Sequence, residues 1–94
     1  MSDSKTTRIV EISNTEGVHA RAAIAIAALV RRFDAEVLLS KNSERVKGTD
    51  VLQILSLGAA PGERLLLEAT GRDAEPALQA LARLIAQNFH EAPP

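Results

Sequence analysis

Along this chain the apolar positions switch repeatedly between a period of two and the wider spacing of a helix. In Thr7 to Ser13 (TRIVEIS), Arg8, Val10 and Ile12 fall on one side and Ile9 and Glu11 on the other. β-branched residues dominate, as in a half-buried strand. Asn14 to Gly17 is a turn cluster, and Gly17 suits an unusual backbone angle. From Ala20 to Phe33 the pattern is helical: Ala22, Ala23, Ile26, Leu29, Val30 and Phe33 share one arc, and Arg31, Arg32 and Asp34 close it off. Ala35 to Ser40 reads as a second strand, Lys41 to Ser43 as a polar turn, and Glu44 to Lys47 as a short third strand, which together make a hairpin. Asp50 is placed to cap a short helix that Gly58 ends. After the Pro61-Gly62 loop, Glu63 to Thr70 forms a fourth strand. Gly71 turns the chain, and Asp73 is placed to cap a last helix whose first turn tolerates Pro76. Leu78, Leu81, Ile85 and Phe89 make the apolar stripe of that helix, and Ala92 to Pro94 reads as a frayed tail.

The predicted order is strand, helix, two strands, helix, strand, helix. Helices segregated on one face of a mostly antiparallel sheet make an α+β, two-layer domain. With 94 residues the chain has room for one domain over 1–94, with an ordered core of about 7–91. Apolar residues at 46% are enough for one core, and no repeat or low-complexity segment interrupts it.

Composition removes several kinds of function. A net charge of -1 is not that of a polybasic nucleic-acid binder. Phe33 and Phe89, the only aromatic residues, supply no platform on which bases could stack, so an RNA-binding sheet is disfavoured. The absence of cysteine excludes disulfides, a thiolate nucleophile and cysteine-ligated metal. No third ligand at useful spacing accompanies the two histidines, so neither metal nor cofactor is expected. Met1 to Thr7 is polar and lacks an apolar signal core, and no apolar run is long enough for a bilayer; a cytoplasmic protein without membrane insertion is expected.

Candidate chemistry lies in Gly17-Val18-His19-Ala20-Arg21. A histidine at the mouth of a helix faces N–H groups that lack intrahelical acceptors, and the helix dipole is positive there. This arrangement suits phosphate. Arg21 can offer a bidentate guanidinium to phosphate oxygens. A neutral imidazole nitrogen is a competent nucleophile near neutral pH. A histidine beside a helix start also serves as a solvated cap, and the segment alone leaves both roles open. His90 falls in the last turn of the final helix, where a cation suits the dipole, and is given no chemistry.

With these residues in place, the chain resembles the histidine-containing phosphocarrier (HPr) family of the bacterial phosphotransferase system, including its nitrogen-branch form NPr. The resemblance runs from about Ile9 to Glu91. It is carried by Gly17-Val18-His19-Ala20-Arg21, Phe33-Asp34-Ala35-Glu36-Val37, Leu55-Ser56-Leu57-Gly58, and Gly71 with Ala77 and Leu81. It implies an open-faced β-sandwich, a four-stranded antiparallel sheet covered on one face by three helices. It implies that His19 is phosphorylated on Nδ1 by enzyme I, drawing on phosphoenolpyruvate, and passes the group to a histidine of an enzyme IIA component. Arg21 would neutralise phosphate charge, and the N–H groups of Ala20 and Arg21 would help hold the oxygens. The chain departs from the family in two places. Ala22 stands where proline is usual, which adds an N–H near the phosphate. Asp50 stands where many relatives carry a regulatory serine.

A carrier needs an exposed apolar face for its partners. Ile24 falls outside the core arc on the side of Arg21, flanked by Ala20, Ala27 and Ala28, and Val51, Leu52 and Leu55 continue the apolar arc of the second helix beyond Ile54 and Leu57. Filling a wide core is the other reading of these residues; the resemblance favours docking of enzyme I and enzyme IIA by a monomer. A regulatory module of the same fold, acting through its phosphorylation state, is the alternative function. One His and one Arg make a poor autonomous enzyme, so a protein that carries the group is expected.

Overall fold

The structure, a computed structural model, describes residues 5–89. Seven elements follow in the expected order: β1 (Lys5–Glu11), α1 (Ala20–Val30), β2 (Glu36–Lys41), β3 (Glu44–Lys47), α2 (Val51–Ser56), β4 (Arg64–Thr70) and α3 (Ala74–Ala86). The sheet order is β1-β4-β2-β3, antiparallel throughout. β4 thus enters between β1 and β2, which were laid down earlier in the chain. A central strand buried by helices on one side should be apolar at alternate positions, and Leu65, Leu67 and Ala69 of β4 are buried. Val37 and Leu39 of β2 and Val46 of β3 join them under the helices, which contribute Ile26, Val30, Ile54, Leu78, Leu81 and Ile85 to the same core. The open-faced two-layer architecture is therefore the one expected.

The opposite sheet face is open. Ile9, 66% exposed, lies there opposite Leu66. Glu68 stands on this face between Lys5 Nζ at 3.2 Å and Arg45 Nε at 3.3 Å, the second an ion-pair contact without hydrogen-bond alignment. On β1, Thr6, Arg8 and Val10 pair with the buried residues of β4 and so face the helices, while Ile9 and Glu11 face outward, as the alternation predicts.

Several local expectations are corrected. β1 ends at Glu11, because β4 begins at its partner Arg64. Ile12 then pairs irregularly: its N–H donates to the Glu63 carbonyl at 2.8 Å and its carbonyl accepts from Gly62 N–H at 2.7 Å. α1 stops at Val30, short of Phe33, and continues in tighter turns in which Arg32 and Phe33 N–H donate to the Leu29 and Val30 carbonyls. Phe33 is only half-buried. Ala27, expected on the flat outer surface, is fully buried, because it extends the Ala23 row by one turn where α2 lies alongside. Asp73 occupies the N-cap of α3 but makes no side-chain cap bond. Its carboxylate instead accepts from Asp34 N–H at 2.7 Å, while Arg72 pairs with Asp34 at 3.1 Å. These contacts staple two turns together. α3 ends at Ala86, so Phe89 lies past the helix at φ 65°, yet it is buried, with its N–H on the Leu84 carbonyl. His90 and Ala92 to Pro94 lie outside the described residues.

Two caps hold as expected. The Asp50 carboxylate accepts from Gln53 N–H at 3.1 Å, and Gly58 takes a left-handed φ of 61° just past α2. Lys41 reinforces that helix end. Its ammonium donates to the Leu57 and Gly58 carbonyls and pairs with Glu63 at 2.9 Å. The Glu63 carboxylate also accepts from Ala60 N–H. The Lys41 hydrogen bond, then the Ala60 N–H, hold the Glu63 carboxyl below its ordinary range.

The segment ahead of α1 is seated on this anchored loop. Val18 N–H donates to the Ala59 carbonyl at 2.9 Å. Gly17, at φ 66°, passes so close that an added Cβ would stand 2.6 Å from the same oxygen. Gly17→Ala is therefore expected to destabilise the fold by at least about 2 kcal/mol, combining left-handed strain with a backbone clash. Chemical denaturation of parent and variant measures it; a loss below about 0.5 kcal/mol would show that the turn relaxes freely.

Candidate functional site

His19 is the N-cap of α1, with extended backbone at φ -89°, ψ -175°, and its carbonyl accepts from Ala23 N–H. An N-cap side chain commonly accepts from the N–H three residues on. Here the imidazole fills that role: Nδ1 accepts from Ala22 N–H at 3.4 Å. The bond is long, but it sets the ring so that Nδ1 is turned toward the helix mouth. The other nitrogen, Nε2, lies 3.2 Å from Glu16 Oε1. The ring is partly exposed, with 32% of its side chain open to solvent.

The turn before it is held from both sides. Asn14 Nδ2 donates to the Gly17 carbonyl at 2.8 Å, and Val18 is pinned to Ala59. The end of α3 closes the far wall, where Ser13 Oγ donates to Asn88 Oδ1 at 3.0 Å. The result is a shallow hollow of about 240 Å³ lined by Ser13, Asn14, Thr15, Glu16, His19, Arg21, Asn88 and Phe89. Arg21 is exposed at its rim, and among the described residues no carboxylate pairs with it. The first N–H groups of α1, those of Ala20 and Arg21, have no intrahelical acceptor. The imidazole of His19 and the side chain of Arg21 thus border one hollow at the start of α1. Ser13, Asn14, Thr15, Glu16, Asn88 and Phe89 complete the hollow and were not singled out as site residues. Asn88 and Phe89 reach it from the far end of the chain, whereas Ser13 to Glu16 lie within six residues of His19 and their closeness in sequence is the signal that could have found them.

The apolar positions divide. Ile24 is 57% and Leu52 77% exposed, whereas Val51 and Leu55 are half-buried against the core. Arg31 holds the two helices in register, its guanidinium donating to the Thr49 carbonyl at 2.7 Å. Asp50 stands at the start of α2 beside this patch. Among the described residues no group of His, Asp and Glu side chains is arranged to hold a metal ion, and no helix is long and apolar enough to cross a membrane.

Residues 6–87 match the family model described as the HPr component phosphorylation site of the phosphotransferase system. The chain is 42% identical over 84 residues to phosphocarrier protein NPr of Escherichia coli K12, covering 87% of this chain and 92% of that protein. It is 38% identical over 82 residues to phosphocarrier protein HPr of Neisseria meningitidis serogroup A, with coverage of 87% and 92%. Among solved structures, HPr-C-His from Thermoanaerobacter tengcongensis superposes with a TM-score of 0.87 at 32% identity, over 94% of this chain and 99% of that one. HPr from Bacillus anthracis does so with a TM-score of 0.81 at 30% identity, over 85% and 95%. With the same sheet and helices, and with its helix-capping histidine inside the matched segment, the chain belongs to the HPr family of phosphotransferase-system phosphocarriers, which are carriers and not enzymes.

Proposed function

We propose that this protein accepts a phosphoryl group on Nδ1 of His19 from enzyme I, which draws on phosphoenolpyruvate, and donates it to an enzyme IIA component. The observation that carries the reading is the N-cap position of His19, with Nδ1 turned toward the donors of the helix mouth and Arg21 on the same hollow. The Nδ1 lone pair attacks phosphorus, the donor's bond to phosphorus breaks, and the oxygens come to rest among the N–H groups of Ala20 and Arg21 and the Arg21 guanidinium. The phosphoryl group takes the place of the Ala22 N–H contact. The shallow, open hollow suits delivery from one protein and collection by another, in the cytoplasm and by a monomer. Relatives named NPr and relatives named HPr match at similar identity, so the reading rests on the carrier chemistry common to both names.

His19→Ala is expected to keep the fold and to gain no phosphoryl mass from phosphoenolpyruvate and enzyme I; acid-labile labelling of the variant would overturn the assignment. Arg21→Ala in the same assay should fold with stability within about 0.5 kcal/mol of the parent, because the side chain is exposed. Its transfer should slow by about ten-fold or more, the cost of one charge-assisted contact in the transition state. A parental rate at subsaturating enzyme I would remove Arg21 from the mechanism.

The docking face in this reading is Ile24 with Val51, Leu52 and Leu55. Leu52 is its most exposed member, so Leu52→Glu should leave the melting temperature nearly unchanged. It should weaken binding to enzyme I by about ten-fold or more, measured by titration calorimetry. Unfolding of the variant would instead return Leu52 to the core.

Asp50 makes the second helix blind to a serine kinase, since a carboxylate cannot accept phosphate in that reaction. Its negative charge stays at the helix start, where an anion is favoured. Asp50→Ser should cost no more than a few tenths of a kcal/mol, because serine caps about as well, and should become a substrate for such a kinase. Phosphorylation of the parent by that kinase, for instance on Thr49, would refute the blindness.

A further inference from the structure

Taking His19 as the acceptor, we infer that Glu16 is a positioning residue for the transfer: its carboxylate keeps the proton on Nε2 of His19, so that Nδ1 presents a lone pair and the ring departs as neutral imidazole. Two contacts on opposite sides of the ring select the same tautomer. Glu16 Oε1 lies 3.2 Å from Nε2 as an ion-pair contact, and an ionised carboxylate, which offers only acceptor oxygens, favours hydrogen on the nitrogen that faces it. Ala22 N–H, 3.4 Å from Nδ1, can only donate, so Nδ1 must not. A partner on one ring nitrogen fixes the role of the other. The Ala22 contact exists because residue 22 is not proline and retains its N–H.

The charge balance of the transfer follows from this tautomer. On loading, the new Nδ1–P bond draws on the Nδ1 lone pair, and the ring, still protonated on Nε2, becomes cationic opposite the Glu16 carboxylate. On unloading, the Nδ1–P bond breaks and its electron pair returns to Nδ1. The proton never leaves Nε2, so the leaving group is imidazole and no separate acid or base is required. Without that proton the ring would have to leave as imidazolate, a far more basic and poorer leaving group. Arg21 addresses the phosphoryl oxygens, while Glu16 addresses the opposite edge of the ring. Among the described residues these two are the charged groups lining the hollow. Ser13, Asn14 and Thr15 on one side and Asn88 and Phe89 on the other are uncharged. The carboxylate is 74% exposed, so it adds little to stability, and its effect on the ring is directional.

The test uses the whole protein with its ring nitrogens labelled with ¹⁵N, observed near pH 8.5, where an ordinary imidazole is neutral. The parent should show the Nε2–H tautomer alone. Glu16→Ala should admit the Nδ1–H form, and Glu16→Gln, whose amide oxygen can still accept but carries no charge, should lie between Glu16→Ala and the parent. After loading by enzyme I and phosphoenolpyruvate, the rate of back-donation to pyruvate through enzyme I is followed against pH. The alkaline fall in rate should move to lower pH by a few tenths of a unit in Glu16→Ala. In Glu16→Gln, which keeps an acceptor oxygen beside Nε2 without the charge, it should lie between the two. A Glu16→Ala protein with the parent's tautomer and the parent's pH profile overturns the inference. Failure of the parent to load at all would count against His19 as acceptor, and the tautomer spectrum would still decide the role of Glu16.

Discussion

The structure turns on one close approach of backbone to backbone. Val18 N–H reaches the Ala59 carbonyl, and Gly17, with no side chain, lets the two loops meet. The imidazole lies immediately downstream: one residue after Val18, His19 caps the start of α1. The acceptor loop is rigid in its turn because Lys41 binds the Leu57 and Gly58 carbonyls and the Glu63 carboxylate, and Glu63 holds Ala60 N–H. Loops joined only by solvent would let the histidine wander; these are tied to a helix end and a strand start.

The polar side of the site is built with little desolvation. His19, Glu16 and Arg21 all retain contact with water, and the donors are helix-mouth N–H groups that are free by the geometry of any helix. In the proposed function such a site holds a phosphoryl group without enclosing it. That is the requirement of a carrier, because a buried phosphohistidine would have to be exposed again before each transfer. The apolar surface is arranged in the same spirit. Ile24 and Leu52 stand out into solvent, while Val51 and Leu55 anchor their helix against the core. The Arg31 bond to Thr49 keeps the two helices from sliding.

The sheet shows how far each kind of signal reaches. Alternation identified all four strands and the inward face of β1, and the helical arc of α1 identified Ala22, Ala23, Ile26 and Val30 as core. Caps at Asp50 and Gly58 were equally legible, since a cap is made by residues within one turn of each other. Errors arose where a distant segment supplied the partner. Asp73 has the chemistry of a helix cap, but the turn at Asp34 competes for its carboxylate and wins. Ala27 looks like surface until α2 is laid beside it, and Phe89 keeps its buried place even though its helix ends three residues earlier.

The sequence by itself determined the order of the elements and the setting of the proposed centre, because Gly17, His19 and Arg21 fall within a span shorter than two helical turns. Local backbone geometry alone brings the imidazole to the mouth of α1. Tertiary structure decided the rest of the hollow. Asn88 meets Ser13 across 75 residues of chain, and the loop at Ala59 meets the one at Val18. It also decided that Nε2 faces Glu16 and Nδ1 faces Ala22, for the ring has two nitrogens and nothing in a list of residues says which way it turns. Periodicity reports which side of an element is buried; it carries no information on which buried or bordering groups will meet, since that depends on how the strands order themselves in space.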